Sequence, residues 1–179
     1  MDLQNITLVS FGYFDDKFLR NVSEAVSHEF FIPVNLKEGH LDLSEFYDPT
    51  RRQYNGAKLL TEIDKIYSSD TAKTLGLFSV DLFIPILTYI FGQAFLNGRS
   101  GIASLYRFSN EYYGMESDNK FILGRFKKEV IHELGHTFGL IHCSSPTCVM
   151  RSSTYVEDID QKSSNICFKC REEISIKST

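Results

Sequence analysis

Residues 132–142 read His-Glu-Leu-Gly-His-Thr-Phe-Gly-Leu-Ile-His. Residues four apart on an α-helix share one face, so His132 and His136 would present both imidazoles to one ion, at the usual Zn–N distance of roughly 2.0–2.1 Å. Glu133 sits to the side of that face, where it reaches a water better than the metal. His142 can join the pair only if the helix stops. Gly139 provides for that, because glycine adopts φ > 0 without a Cβ penalty and lets the chain turn back. Three protein ligands leave a fourth position for water, the arrangement of a catalytic zinc, which lowers the pKa of that water from about 15.7 to about 7. Glu133 is then the expected general base, taking the proton and passing it to a leaving amine. H-E-x-x-H alone is moderately specific; the glycine and third histidine at fixed offsets make H-E-x-x-H-x-x-G-x-x-H far more so. Two hydrogen-bonded core histidines would explain the short pattern and leave Gly139 and His142 without a purpose. His28 and His40, the remaining two of the five histidines, read as surface or helix-edge residues.

All four cysteines follow the motif: Cys143, Cys148, Cys167 and Cys170. Two short-spaced pairs, the second a C-x-x-C, suit a tetrahedral Cys₄ zinc that serves structure. Two disulfides or redox-active thiols are the competing readings. The N-terminus shows no basic segment followed by an apolar one, and no run approaches the roughly 18 apolar residues of a membrane span. A chain without a leader is expected in the reducing cytoplasm, where disulfides are rare, and this favours zinc. Cys143 directly follows His142, so the two sites would be mechanically linked.

The run His132–Cys170 resembles the archaemetzincins, a branch of the metzincin metallopeptidases. The resemblance rests on the long zinc motif, on Cys143 immediately after it, on Cys148-Val-Met150, and on the closing Cys167-Phe-Lys-Cys170. The gap from Met150 to Cys167 is one residue short of the family spacing. Arg52-Gln-Tyr54-Asn55 and Val80-Asp81-Leu82-Phe83 look similar to family segments less diagnostically. The resemblance implies a metzincin fold, a catalytic zinc on His132, His136 and His142, Glu133 as general base, and a structural zinc on Cys143, Cys148, Cys167 and Cys170. It also implies that Met150, otherwise plain core filling, forms the turn beneath the histidines. An antiparallel edge strand near 91–96 would line the cleft and pair with extended peptide. Tyr155 follows Met150 at a spacing unlike that of some metzincins and reads as a loop aromatic.

The elements that must hold these residues follow from periodicity. Residues 6–11 read as a strand. Phe18, Val22, Val26 and Phe30 recur every four residues and predict a helix. Residues 32–36 suit a short strand. Gly56, Leu59, Leu60, Ile63, Ile66 and Tyr67 trace one face of a second helix. The apolar run 75–84 predicts one interior strand. Strands over 89–95 and 102–108 flank a turn at Asn97-Gly98. The motif helix is expected over 124–138, with Phe126, Val130, Leu134 and Phe138 buried. The order is that of an α/β (α+β) chain with a mixed twisted sheet, to which the resemblance adds an antiparallel edge strand. The last forty residues are Ser-rich and poor in core candidates, with Ser164 or Asn165 capping a short helix to Glu173. A Cys₄ metal would explain their order, because metal binding contributes directly to folding.

At 179 residues, with 42% hydrophobic content and no linker or repeat, the chain reads as one domain spanning 1–179, with subdomains at 1–139 and 140–179. The aromatic residues, 15 Phe and 9 Tyr, read as core more than recognition surface. The net charge of −4 disfavours nucleic acid. The expected partner is a peptide or protein substrate, with no membrane contact and a monomeric state. Three functions compete: a zinc peptidase, a zinc-stabilised module that captures peptide without turnover, and a zinc carrier. Glu133 favours the first, since a structural site needs no carboxylate beside its first ligand.

Overall fold

The computed structural model describes residues 3–177. Its main sheet holds β1 (Asn5–Phe11), β2 (Val34–Gly39), β5 (Ala72–Phe78), β8 (Gly92–Ala94) and β9 (Ser100–Ser104), in the order β2-β1-β5-β9-β8. All neighbours are parallel except β8, which runs antiparallel to β9 at one edge. A second sheet, in the order β3-β4-β6-β7, joins β3 (Tyr47–Asp48), β4 (Gln53–Asn55), β6 (Leu82–Ile84) and β7 (Leu87–Ile90). The architecture is mixed α/β, as expected.

Helix α1 (Asp16–Phe30) starts where the Asp15 carboxylate accepts the Phe18 N–H, and it lays Leu19, Val22, Val26 and Phe30 against β1 and β5. Helix α2 (Gly56–Tyr67) is capped by Asn55 and covers the other face through Leu59, Leu60 and Ile63. Ile66, assigned to the same face, is 50% exposed. Helix α3 (Asn119–Thr137) carries the motif. Phe126, Val130, Leu134 and Phe138 are buried as expected, with Phe138 stacked on Phe30 at 4.9 Å. The helix begins five residues before the expected start, because the Asp118 carboxylate accepts the Lys120 and Phe121 N–H groups.

Four expected strands are broken or moved. The run 75–84 divides at residues 79–81 and feeds both sheets. Asp81 there accepts two hydrogen bonds from Arg107 at 2.7 Å and one from Gln53 at 3.0 Å, a polar anchor that periodicity cannot register. The strand over 89–95 divides at Phe91, which turns inward onto Phe108 at 5.0 Å, so β7 and β8 are successive edges of different sheets. The strand over 102–108 ends at Ser104 and becomes a 3₁₀ turn at Tyr106–Phe108. The strand at 32–36 lies instead at 34–39, paired with β1 from Ile6–Val34 to Phe11–Gly39.

The C-terminal segment is more ordered and better packed than its composition suggests. It forms α4 (Val156–Gln161) and α5 (Phe168–Lys177), and Val149, Met150, Val156, Ile159 and Ile166 are buried. Neither Ser164 nor Asn165 caps the last helix; the Asn165 N–H instead donates to Ser163 Oγ. The phenylalanines are mostly core, yet Tyr13, Tyr47, Tyr106, Tyr112, Tyr113 and Tyr155 are exposed, contrary to the core reading of the aromatics. Among the described residues no helix is long and apolar enough to cross a membrane.

Candidate metal centre and its cleft

The turn after α3 assembles the histidines. Gly139 has φ +85°, and the Gly139 and Leu140 N–H groups donate back to His136 O and Gly135 O at 2.9 and 3.0 Å. The chain therefore reverses, and the ring centroids of His132, His136 and His142 lie 4.7–5.3 Å apart. One nitrogen from each ring falls within 4.8 Å of the others. His132 Nδ1 meets Val149 O at 2.8 Å and His136 Nδ1 meets Leu140 O at 2.7 Å. A carbonyl only accepts, so both Nδ1 atoms carry the proton and both Nε2 atoms present a lone pair. Those Nε2 atoms are 3.1 Å apart. Two bare lone pairs at that distance repel unless a cation lies between them, and two ligands on a tetrahedral zinc would be about 3.3 Å apart. Burial holds all three imidazoles below their usual pKa, with Lys162 adding to the effect, which keeps them neutral as metal ligands must be. His28 and His40 are exposed and do not belong to this cluster.

The four cysteines form a second group within 4.8 Å. The Cys143–Cys167 and Cys148–Cys170 sulfurs are 3.8 and 4.0 Å apart. These spacings match the roughly 3.8 Å expected between thiolates on a tetrahedral zinc and are far beyond an S–S bond of about 2.05 Å. Burial raises the Cys167 thiol, but hydrogen bonds from Cys170, Cys148 and Cys143 outweigh it and bring the pKa to about 7. Burial pushes Cys148 and Cys170 up.

Met150 lies directly beneath the motif helix. A Cβ on Gly135 would overlap Met150 Sδ and come within 3.0 Å of its Cε. This explains a glycine inside a helix, where it costs about 1 kcal/mol relative to alanine. Gly135→Ala is expected to lower the melting temperature despite that gain in propensity, since overpacking costs typically about 1–3 kcal/mol. A melting temperature raised by calorimetry would show that Met150 yields without strain.

The imidazoles line a cleft of about 720 Å³ whose walls include Tyr89, Gln93, Ile141, Ser153 and Tyr155. Glu133 is 4% exposed, and among the described residues its Oε2 has no hydrogen-bond partner. Two further ionisable residues, unanticipated from sequence, also line this cleft: Glu129 and Lys162, 4% and 2% exposed. Glu129 precedes Glu133 by one helical turn, so the carboxylate pair was legible as an i,i+4 spacing. Nothing local marked Lys162. Burial, then the Glu129 carboxyl, holds Glu133 well above the ordinary range, and burial likewise raises Glu129. Gly92 of β8 makes room for both: its Cβ would meet Glu133 Cγ at 2.7 Å, Ile102 O at 2.7 Å and Glu129 Oε1 at 3.0 Å. Gly92→Ala is expected to displace Glu133 and cost up to about 100-fold in kcat, as a misplacement of about 1 Å does. Unchanged kcat would show that strand and glutamate separate without consequence. Tyr155 is 63% exposed on the cleft rim, a loop residue that nonetheless faces the site. The edge strand expected near 91–96 is β8, shortened to residues 92–94.

The model of Peptidase family M54 matches residues 16–176. The archaemetzincin of Thermococcus kodakarensis is 35% identical over 176 residues, 94% of either chain. That of Pyrococcus abyssi is 40% identical over 161 residues, 88% of this chain and 85% of the other. Among solved structures, the archaemetzincin from Methanopyrus kandleri superposes with a TM-score of 0.84 at 32% identity, over 98% of this chain and 95% of that one. A zinc-dependent peptidase from Methanocorpusculum labreanum gives 0.85 at 29% identity, over 95% and 100%.

Proposed function

Because the chain belongs to peptidase family M54, the archaemetzincins, and is a zinc metallopeptidase, we propose that Glu133 is the general base of its peptide-bond hydrolysis. We further propose two zinc ions per chain, one held by His132, His136 and His142 and one by Cys143, Cys148, Cys167 and Cys170. The observation that carries this reading is the convergence of three neutral imidazoles on a cleft that also holds the unpartnered Glu133 oxygen. Zinc at the imidazoles supplies a Lewis acid that activates water and polarises a carbonyl. Glu133 accepts the proton of the attacking water and returns it to the departing amine. The exposed edge of β8 offers main-chain groups to an extended peptide, and the cleft walls hold its side chains. Four unbridged cysteines support a cytoplasmic location.

The test is a peptide-library digest by the zinc-loaded chain and by its chelator-stripped form, with metal counted in both. Cleavage by the loaded form alone is the expected result. No cleavage with two zinc ions bound would favour a module that captures peptide without turnover, and one ion per chain would remove the Cys₄ assignment.

A further inference from the structure

The turn that leaves β8 is tied to the end of the motif helix. Helix α3 stops at Thr137, and carbonyls at the C-terminal end of a helix have no partner within it. The His136 carbonyl accepts the Asn97 N–H at 2.8 Å, as well as that of Gly139. The Thr137 carbonyl accepts Lys73 Nζ at 2.9 Å. Thr137 is fully buried, where a carbonyl left unpaired is costly. The same Nζ donates to Gly98 O at 2.7 Å, so one amine joins the helix end to the β8–β9 turn. Lys73 stands near the start of β5, half-buried, with Nζ 5.4 Å from the centre of the Phe138 ring. The turn closes on itself around this contact: the Gly98 N–H donates to Phe95 O at 2.9 Å and the Phe95 N–H to Ser100 O at 3.0 Å. Strand β8 has only three residues and, among the described residues, pairs with β9 alone, so its other edge stays open beside the cleft. Its entry packs against Glu133 through Gly92, and its exit is fixed by Asn97 and Lys73.

We propose that Lys73 is a positioning residue for the substrate: by bridging Thr137 O and Gly98 O it fixes the open edge of β8 against the motif helix, in place to pair with an extended peptide. A short strand bonded along one side has little else to hold it. Once its exit turn is loose, the peptide must order the strand as it binds. Apparent affinity then falls by the fraction of molecules whose strand is already in place. The imidazoles do not need this bridge, because His132 and His136 are oriented by Val149 O and Leu140 O. This inference rests on the reading of β8 as the strand that pairs with the substrate main chain.

The experiment uses the full zinc-loaded chain with K73M and K73R. Methionine keeps an apolar stem beside Phe138 and offers no donor, whereas arginine keeps several N–H groups. Zinc per chain is measured, with kcat and KM on a peptide the wild type cuts. Calorimetry gives the affinities of acetohydroxamate, of a peptidyl hydroxamate, and of the same compound with its backbone nitrogens methylated. Acetohydroxamate meets the metal centre alone, the peptidyl compound also spans β8, and methylation removes the N–H groups that would pair with the strand. K73M should keep zinc, kcat and acetohydroxamate affinity. Its KM should rise, and its peptidyl hydroxamate affinity fall, by about 10-fold, the loss expected if about one molecule in ten has the strand in place. K73R should recover most of both. Wild-type KM and peptidyl affinity in K73M, an equal loss for acetohydroxamate, loss of zinc, or no recovery in K73R would each overturn the proposal. Should K73M fail to fold, K73Q against K73R carries the same comparison. Methylation without effect on the wild type would defeat the reading of β8 as the substrate's partner; methylation that weakens binding while K73M leaves it intact would defeat only this inference.

Discussion

Replacing Cys167 and Cys170 by serine is expected to empty both metal sites, although neither residue touches a histidine. Three connections lead from one cluster to the other. Cys143 is the residue after His142, and consecutive Cα atoms are 3.8 Å apart, so freeing the cysteine frees the third imidazole. The Cys143 N–H donates to Met150 O at 3.0 Å, which ties that same residue to the turn beneath the helix. Val149, whose carbonyl orients His132, is held through its own N–H by Asn165 O at 2.9 Å, two residues before Cys167. Structural zinc contributes apparent binding energies of about 10–16 kcal/mol, comparable to the whole stability of about 5–15 kcal/mol of a typical domain. Its loss should therefore release the segment from Cys143 to α5. Metal analysis after dialysis is expected to fall from two zinc ions to near none, with peptidase activity lost in parallel. A double variant that keeps one tightly bound zinc and wild-type kcat would show the two clusters to be independent.

Glu133→Gln is expected to lower kcat by about 10²–10⁴-fold, the usual contribution of a general base, while both zinc ions stay bound. Glutamine preserves the shape of the side chain and removes its basicity. The melting temperature should hold or rise. Burial and the Glu129 carboxyl raise the Glu133 pKa, so the ionised form is a burden on the fold and its removal relieves repulsion. Loss of activity with a gain in stability is the trade expected where a charged group is kept for function. Equal kcat for wild type and variant would remove Glu133 from the mechanism. Loss of zinc alongside activity would instead assign it to holding the site together.

The candidate metal-binding residues could be picked out from the sequence because the spacing that groups them is local. His132 and His136 lie on one face of a continuous helix with Glu133 beside it, and Gly139 reverses the chain with the φ of +85° that an early helix stop requires. The buried stripe of α3 and the faces of α1 and α2 followed from periodicity for the same reason, apart from the exposed Ile66. Strand limits were poorly legible. The breaks at 79–81 and at Phe91 depend on Arg107, Gln53 and Phe108, which are distant in sequence and enter only when the sheets assemble.

The chain's order of residues thus determined which side chains could meet a metal, since helical spacing and glycine torsion act over a few positions. Tertiary structure alone decided what surrounds them. Lys162 reaches the site from the end of α4, Gly92 from a sheet edge, and Val149 from the turn carrying Met150. Each matters through its burial or its distance from Glu133 or His132, and those quantities exist only once remote segments are packed together.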